Sequence, residues 1–202
     1  NITYEEAASV PQYAIVALQG LRDFGHIQQG QKVLINGASG GIGTFAVQIA
    51  KSFGAEVTGV CSAKNIELVG SIGVDHVIDY NEEDFTKSDQ RYDLILDCVA
   101  NRSISDYIRV LTPGGSYASV KFNLSALLLG SIYSMTSGKK VSQVMHTPNV
   151  EDLAIMKELI EAGKIVPVIA GRYPLSKTAD AFRFYGERHP SGKLVIFMGQ
   201  DK

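Results

Sequence analysis

Short apolar runs alternate with longer amphipathic stretches along the first 120 residues. "QKVLIN" (31–36) is rich in β-formers and bounded by Gly30 and Gly37, which predicts a strand. "IGTFAVQIAKSFG" (42–54) places Ile42, Phe45, Ala46, Ile49, Ala50 and Phe53 at helical spacing, with Gly54 as a stop. The rhythm then repeats as strand 56–61, helix 64–72, strand 76–79, a short helix near 82–87, strand 93–99, helix 103–111 and strand 115–120. Residues 4–21 precede it as a helix that Pro11 interrupts or restarts. Strands separated by helices imply right-handed βαβ crossovers and a parallel sheet. The strands at 31, 93 and 115 are apolar throughout, as a sheet covered on both faces requires.

Beyond residue 120 the pattern loosens. A helix is predicted over 122–135 and a sixth strand over 139–146. "NVEDLAIMKELIEAG" (149–163) is an amphipathic helix with an Asn cap and a glycine stop. "KIVPVI" predicts an edge strand, because Pro167 cannot donate to a ladder. A helix near 176–187 and a strand over 193–198 finish the chain. The expected fold class is α/β, a doubly wound parallel Rossmann sheet of about six strands with helices on both faces. Residues 1–147 form that unit, and 148–202 form a tail belonging to another layer.

Composition narrows the function classes. Of 202 residues, 45% are apolar and 20% charged, a normal globular balance. A net charge of −2 provides no general attraction to nucleic acid or anionic lipid. The apolar run "LSALLLGSIY" is too short to span a bilayer. Cys61 and Cys98 form no C-x-x-C pair, and the four histidines are scattered. A disulfide scaffold and a zinc cluster are therefore not expected, and the setting is read as cytoplasmic. The chain begins at Asn1 rather than Met, which suggests processing or trimming.

The sharpest motif is "NGASGGIG" (36–43). Gly41, Gly43 and Ala46 fit G-x-G-x-x-G/A after a strand and at a helix start, the setting of the dinucleotide fingerprint. Ser39, Gly40, Gly41, Ile42 and Gly43 are then the turn around a diphosphate, held by amides at the positive end of the helix dipole. A carboxylate at the end of the second strand would bond the ribose hydroxyls of NAD. Here Cys61, Ser62, Ala63 and Lys64 stand instead. A hydroxyl and an ammonium suit a ribose 2′-phosphate, so NADP(H) is predicted. As a bare residue, Lys64 also reads as a solvated helix-start lysine.

Two oxidoreductase families write this turn similarly. Gly37, Gly41 and Gly43 fit G-x-x-x-G-x-G, and the turn resembles that of short-chain dehydrogenases. Their catalytic Tyr and Lys, four apart on one helix, would be Tyr173 and Lys177 of "YPLSK". Pro174 lies between them and Ile160 stands where a serine is expected, so the pair is read as chance. The medium-chain dehydrogenase/reductase family accounts for far more. "EEAASVPQYAIVALQGL", "GQKVLINGASGGIGTFAVQIAKSFGAEVTGVCS", "VIDYNEEDF", "YDLILDCV", "LTPGGSYASV", "LIEAGKIVPVI" and "HPSGKLVIF" follow in its order and spacing, and resemble its quinone-oxidoreductase-like branch.

That resemblance implies several expectations. The chain would be the C-terminal cofactor-binding part of a larger reductase, with a catalytic N-terminal domain preceding it. Residues 8–18 hold no cysteine at the position of the family's zinc ligand, so zinc-free NADPH chemistry on a quinone or enone is implied. A zinc alcohol dehydrogenase and a non-catalytic nucleotide-binding module are the alternatives. Ser62, Lys64, Tyr80 and Arg188 would surround the ribose phosphate. Tyr80 reads equally as a strand-end aromatic, and Arg188 as a surface arginine. Val99 and Ala100 would border the nicotinamide ribose, and Val120 and Lys121 the nicotinamide. Lys121 departs from a frequent glycine. A homodimer through residues 139–146 is expected, and no catalytic residue is assigned within the chain.

Overall fold

The computed structural model describes residues 2–188 and 190–198, and for Leu127, Leu129 and Arg188 the description stops at the backbone. Helices α1 (Tyr4–Ser9) and α2 (Tyr13–Gln19) lead in on either side of Pro11, and a π-helical turn, Gly20–Phe24, follows. The main body comprises β1 (Lys32–Asn36), α3 (Gly41–Ser52), β2 (Glu56–Cys61), α4 (Ile66–Ser71), β3 (His76–Asp79) and β4 (Tyr92–Asp97). It continues through α5 (Ile104–Arg109), β5 (Leu111–Ser119), α6 (Leu124–Ser137) and β6 (Lys140–Gln143). All pairings in this sheet are parallel, in the order β3-β2-β1-β4-β5-β6. This is the order of a doubly wound dinucleotide-binding sheet, with its topological reversal between β1 and β4.

Alternation along each strand sorts the core into two layers. Val33 and Ile35 of β1, Leu94 and Leu96 of β4 and Ala118 of β5 face α2 and α3, where Leu18, Phe45 and Ile49 meet them. Leu34, Ile95 and Tyr117 face the other way, against Tyr107 of α5, Phe85 and Ala126 of α6. Each fully buried aliphatic side chain contributes about 1.5–3 kcal/mol, which is why an uncapped helix such as α2 persists without local help.

The tail is pinned to this body. Helix α7 (Val150–Glu161) buries Met156 and Ile160 in the same core as α2 and α3. Asp152, its side chain 3% exposed, accepts from Arg22 (2.6 Å), Gln19 (2.6 Å) and Asn149 (2.9 Å). Gln48 of α3 clamps Val166 through both backbone groups, at 2.7 and 3.1 Å. Strands β7 (Ile169–Pro174) and β8 (Lys193–Phe197) pair in parallel as a separate ribbon, joined by α8 (Thr178–Arg188).

Three local expectations are corrected. The stretch around Pro167 is not a strand, because Val166 spends its amide and carbonyl on Gln48, so pairing starts only at Ile169. The helix expected near 82–87 shrinks to a 3-10 turn, Phe85–Lys87, capped by Asp84. β6 ends at Gln143, short of the expected 146, where the Gln143 side chain turns back to the Ser119 carbonyl.

Candidate functional site

The turn between β1 and α3 is shaped by what lacks a side chain. Gly37 has φ +87°, and Gly43 sits so close that a Cβ there would lie 2.0 Å from the Gly37 carbonyl oxygen. This contact lets the first turn of α3 fold back onto the end of β1. Gly40 is the N-cap and offers no side chain. The amides of Gly41, Ile42 and Gly43 consequently meet no acceptor among the described residues. Three free N–H groups at the positive end of a helix running to Ser52 have the donor geometry that can cradle an anion.

Gly41 has a second role. A Cβ there would lie 2.6 Å from the Tyr13 ring, and the Lys193 ammonium lies 3.3 Å from that ring's centroid. Burial pushes the Lys193 ammonium below its ordinary pKa. Two elements remote in sequence, α2 and β8, thus reach the mouth of the cradle. The Gly192 amide donates to the Ser39 carbonyl at 3.0 Å and fastens the approach to β8 onto the turn.

The ends of β2 and β3 form one flank. Cys61 is buried, Ser62 half-buried and Lys64 exposed, with no ion pair to Lys64 among the described residues. The Tyr80 amide donates to the Cys61 carbonyl (3.1 Å), so Tyr80, about half exposed, stands beside Ser62. Asn65 donates to both Ser39 Oγ (3.0 Å) and Ser62 Oγ (3.2 Å) and accepts from Ser191 Oγ (2.7 Å). Asn65 therefore ties Ser39 to Ser62, and the Tyr80 backbone joins the same strand ends through Cys61. The Arg188 side chain lies outside the described residues.

The ends of β4 and β5 form the other flank. Val99 packs against Gly37, and Ala100 adopts φ +56°, a left-handed conformation costly for a residue with a Cβ. Asp97, fully buried, holds this bend by accepting from the Val99 (3.0 Å) and Ala100 (2.9 Å) amides. It also accepts from Asn36 (2.9 Å) and Tyr117 (2.8 Å). Burial first, and the Asp97 carboxylate second, raise the Tyr107 and Tyr117 phenols far above the ordinary value, so neither ionises at neutral pH. Burial likewise raises the Cys98 thiol, which disfavours the thiolate form. Val120 is half-buried and Lys121 exposed at the end of β5.

Other groups lie apart. Tyr173 is in β7 and Lys177 in the 3-10 turn after Pro174, so they share no helix face. Among the described residues, no three His, Cys, Asp or Glu side chains cluster to hold a metal ion. No described helix is long and apolar enough to cross a membrane. A polar cavity of about 180 Å³ lined by His26, Asp93 and Lys140 lies at the opposite, amino ends of the strands.

A doubly wound parallel sheet with a glycine turn at its strand-order reversal has the architecture of a dinucleotide-binding domain. The zinc-binding dehydrogenase family model matches residues 72–196, and the chain belongs to that family, within the medium-chain dehydrogenase/reductases and their quinone-oxidoreductase-like branch. It is 37% identical to the mitochondrial NAD(P)H oxidoreductase RTN4IP1 of Bos taurus, over 97% of this chain and 56% of that protein. It is 32% identical to the chloroplast envelope quinone oxidoreductase homolog of Arabidopsis thaliana, over 95% of this chain and 61% of that protein. The quinone oxidoreductase from Coxiella burnetii superposes with a TM-score of 0.87 at 27% identity, covering 98% of this chain and 62% of that one. The chain thus spans little more than half the length of the relatives it matches.

Proposed function

We propose that the chain is the NADPH-binding half of a zinc-free reductase that delivers hydride to a quinone, an enone or a related activated carbonyl. The observation that carries this reading is the triad of free amides at Gly41, Ile42 and Gly43. These three donors and the helix dipole suit a diphosphate. On the flank, Ser62 and Lys64 offer a hydroxyl and an ammonium where a carboxylate would select NAD. Tyr80 and Arg188 are assigned to the same ribose phosphate, Val99 to the nicotinamide ribose, and Val120 and Lys121 to the nicotinamide. When bound, NADPH supplies the hydride. The chain's own share is orientation: Asp97 fixes the bend at 98–100, and so the wall along which the nicotinamide ribose lies.

The second wall of the cleft belongs to a catalytic domain carried by the same polypeptide, and residues 148–202 return toward it. The ribbon β7–β8 supports this, because Leu175, Phe182 and Met198 around it are exposed. A second copy of the chain pairs along β6, within residues 139–146. β6 is an edge strand, and α6 beside it carries Leu124, Leu128, Ile132 and Met135 exposed along one side. Two free thiols fit a reducing compartment such as the cytoplasm.

Calorimetric titration with NADPH and NADH tests the reading. Tighter binding of NADPH is expected. Binding of neither coenzyme would overturn the proposal, and equal binding would overturn its NADP(H) half.

A further inference from the structure

Asn65 is 9% exposed and meets three seryl hydroxyls from three distant segments. Ser39 lies in the glycine turn, Ser62 at the end of β2, and Ser191 before β8. A carboxamide has fixed polarity, with two N–H donors on one arm and a carbonyl acceptor on the other. The carbonyl arm accepts from the Ser191 hydroxyl at 2.7 Å. The two N–H bonds then point at Ser39 Oγ and Ser62 Oγ, at 3.0 and 3.2 Å. Both oxygens therefore act as acceptors toward Asn65.

A hydroxyl that accepts a hydrogen bond keeps its own hydrogen for another partner. Among the described residues neither Ser39 nor Ser62 donates its hydroxyl hydrogen to anything. Both serines are half-buried at the carboxyl edge of the sheet, between the free amides of α3 and the exposed Lys64. Two unused O–H donors, with Lys64 two residues beyond Ser62 and the bare amides starting two residues beyond Ser39, form a wall of donors that an anion would match. An acceptor at position 65 would turn both hydrogens inward and spoil the wall.

We propose that Asn65 is a positioning residue for coenzyme choice: it holds Ser39 and Ser62 as outward hydrogen donors to the phosphates on the adenosine side of NADP(H), the 2′-phosphate being read by Ser62. This rests on the NADP(H) reading above. Ser191 acts one step further back, by fixing the amide.

The test uses adenosine 2′,5′-bisphosphate and 5′-AMP as probes, titrated calorimetrically into the protein. Their affinity ratio isolates the 2′-phosphate without the nicotinamide. Asn65→Ala is expected to lower affinity for the bisphosphate about tenfold more than it lowers that for 5′-AMP, the size of one lost hydrogen bond to a charged group. In a Ser39→Ala/Ser62→Ala background the same change should cost nothing more. Ser191→Ala should give a smaller loss of the same kind, and it serves as the alternative probe if Asn65→Ala does not fold. A full Asn65→Ala penalty persisting without the two serines, or an unchanged affinity ratio, would overturn the inference. Wild-type protein that binds both probes equally would sink the NADP(H) reading itself.

Discussion

The Lys193 ammonium rests 3.3 Å from the centroid of the Tyr13 ring, and that ring occupies the space a side chain on Gly41 would need. A half-buried cation beside the positive end of a helix is unfavourable without an anion to meet it, and burial depresses its pKa accordingly. Its folded-state pKa lies below the unfolded one, so at neutral pH the charged form is a cost to folding. Lys193→Met should leave the melting temperature of the free protein unchanged or slightly raised. It should weaken NADPH and NADH alike, by about tenfold, if the diphosphate is what offsets the charge. Melting curves and titration of both coenzymes check the two halves; a selective loss of NADPH alone would contradict the diphosphate assignment.

Lys64 is exposed and has no ion pair among the described residues, so its replacement should not disturb the fold. Lys64→Glu is expected to weaken NADPH about 30-fold or more and NADH by no more than about threefold, through lost attraction and added repulsion at the 2′-phosphate. Equal losses for the two coenzymes would remove Lys64 from the site.

Gly43→Ala should be among the most damaging small changes in the turn. Its added methyl carbon would fall 2.0 Å from the Gly37 oxygen, a contact with backbone that no side-chain rotation relieves. A loss of about 2 kcal/mol or more is expected, roughly a 4–8 °C fall in Tm for a domain of this size. Gly70→Ala, in α4 with open space around it, is the control and should be neutral or stabilising.

Acid should loosen the tail. Burial by itself would raise the Asp152 carboxyl, but Arg22, Gln19 and Asn149 together hold it below the ordinary value. Because the folded pKa is the lower one, this contribution is complete above the unfolded value of about 4 and fades as pH falls through the folded value. Urea midpoints at pH 7 and pH 3 should show a smaller difference in Asp152→Asn than in wild type, with the variant already weaker at pH 7. An unchanged pH slope would show that the cluster does not govern the acid limb.

If a second copy pairs at β6, Leu128→Asp should leave the fold intact, since Leu128 is 64% exposed, and should shift sedimentation toward the monomer. Dimers of undiminished strength would place the interface elsewhere.

The alternation of strands and helices made the six-stranded sheet legible, because buried parallel strands such as Leu94–Leu96 must be apolar on both sides. Gly41 and Gly43 announced the turn for the same local reason: spacing within a few residues determines it. Asn65, Ser191 and Lys193 went unnoticed because their meaning depends on contacts across more than a hundred residues, and each alone reads as a helix cap or a surface group. Asp97 was concealed within an apolar strand, where only the positions of Asn36, Tyr117 and two amides reveal why a carboxylate is tolerated. The strand expected around Pro167 failed for a tertiary reason. Gln48, in another helix, competes successfully for the Val166 backbone.

The Gly192-to-Ser39 bond makes the boundary of the nucleotide module a poor place to cut. Truncation after the sixth strand would spare every strand of the large sheet, yet strip away the Ser191 hydroxyl and the Lys193 ammonium at the mouth of the glycine turn. Such a minimal piece would lose Met156 and Ile160 from its core and one side of its anion cradle together.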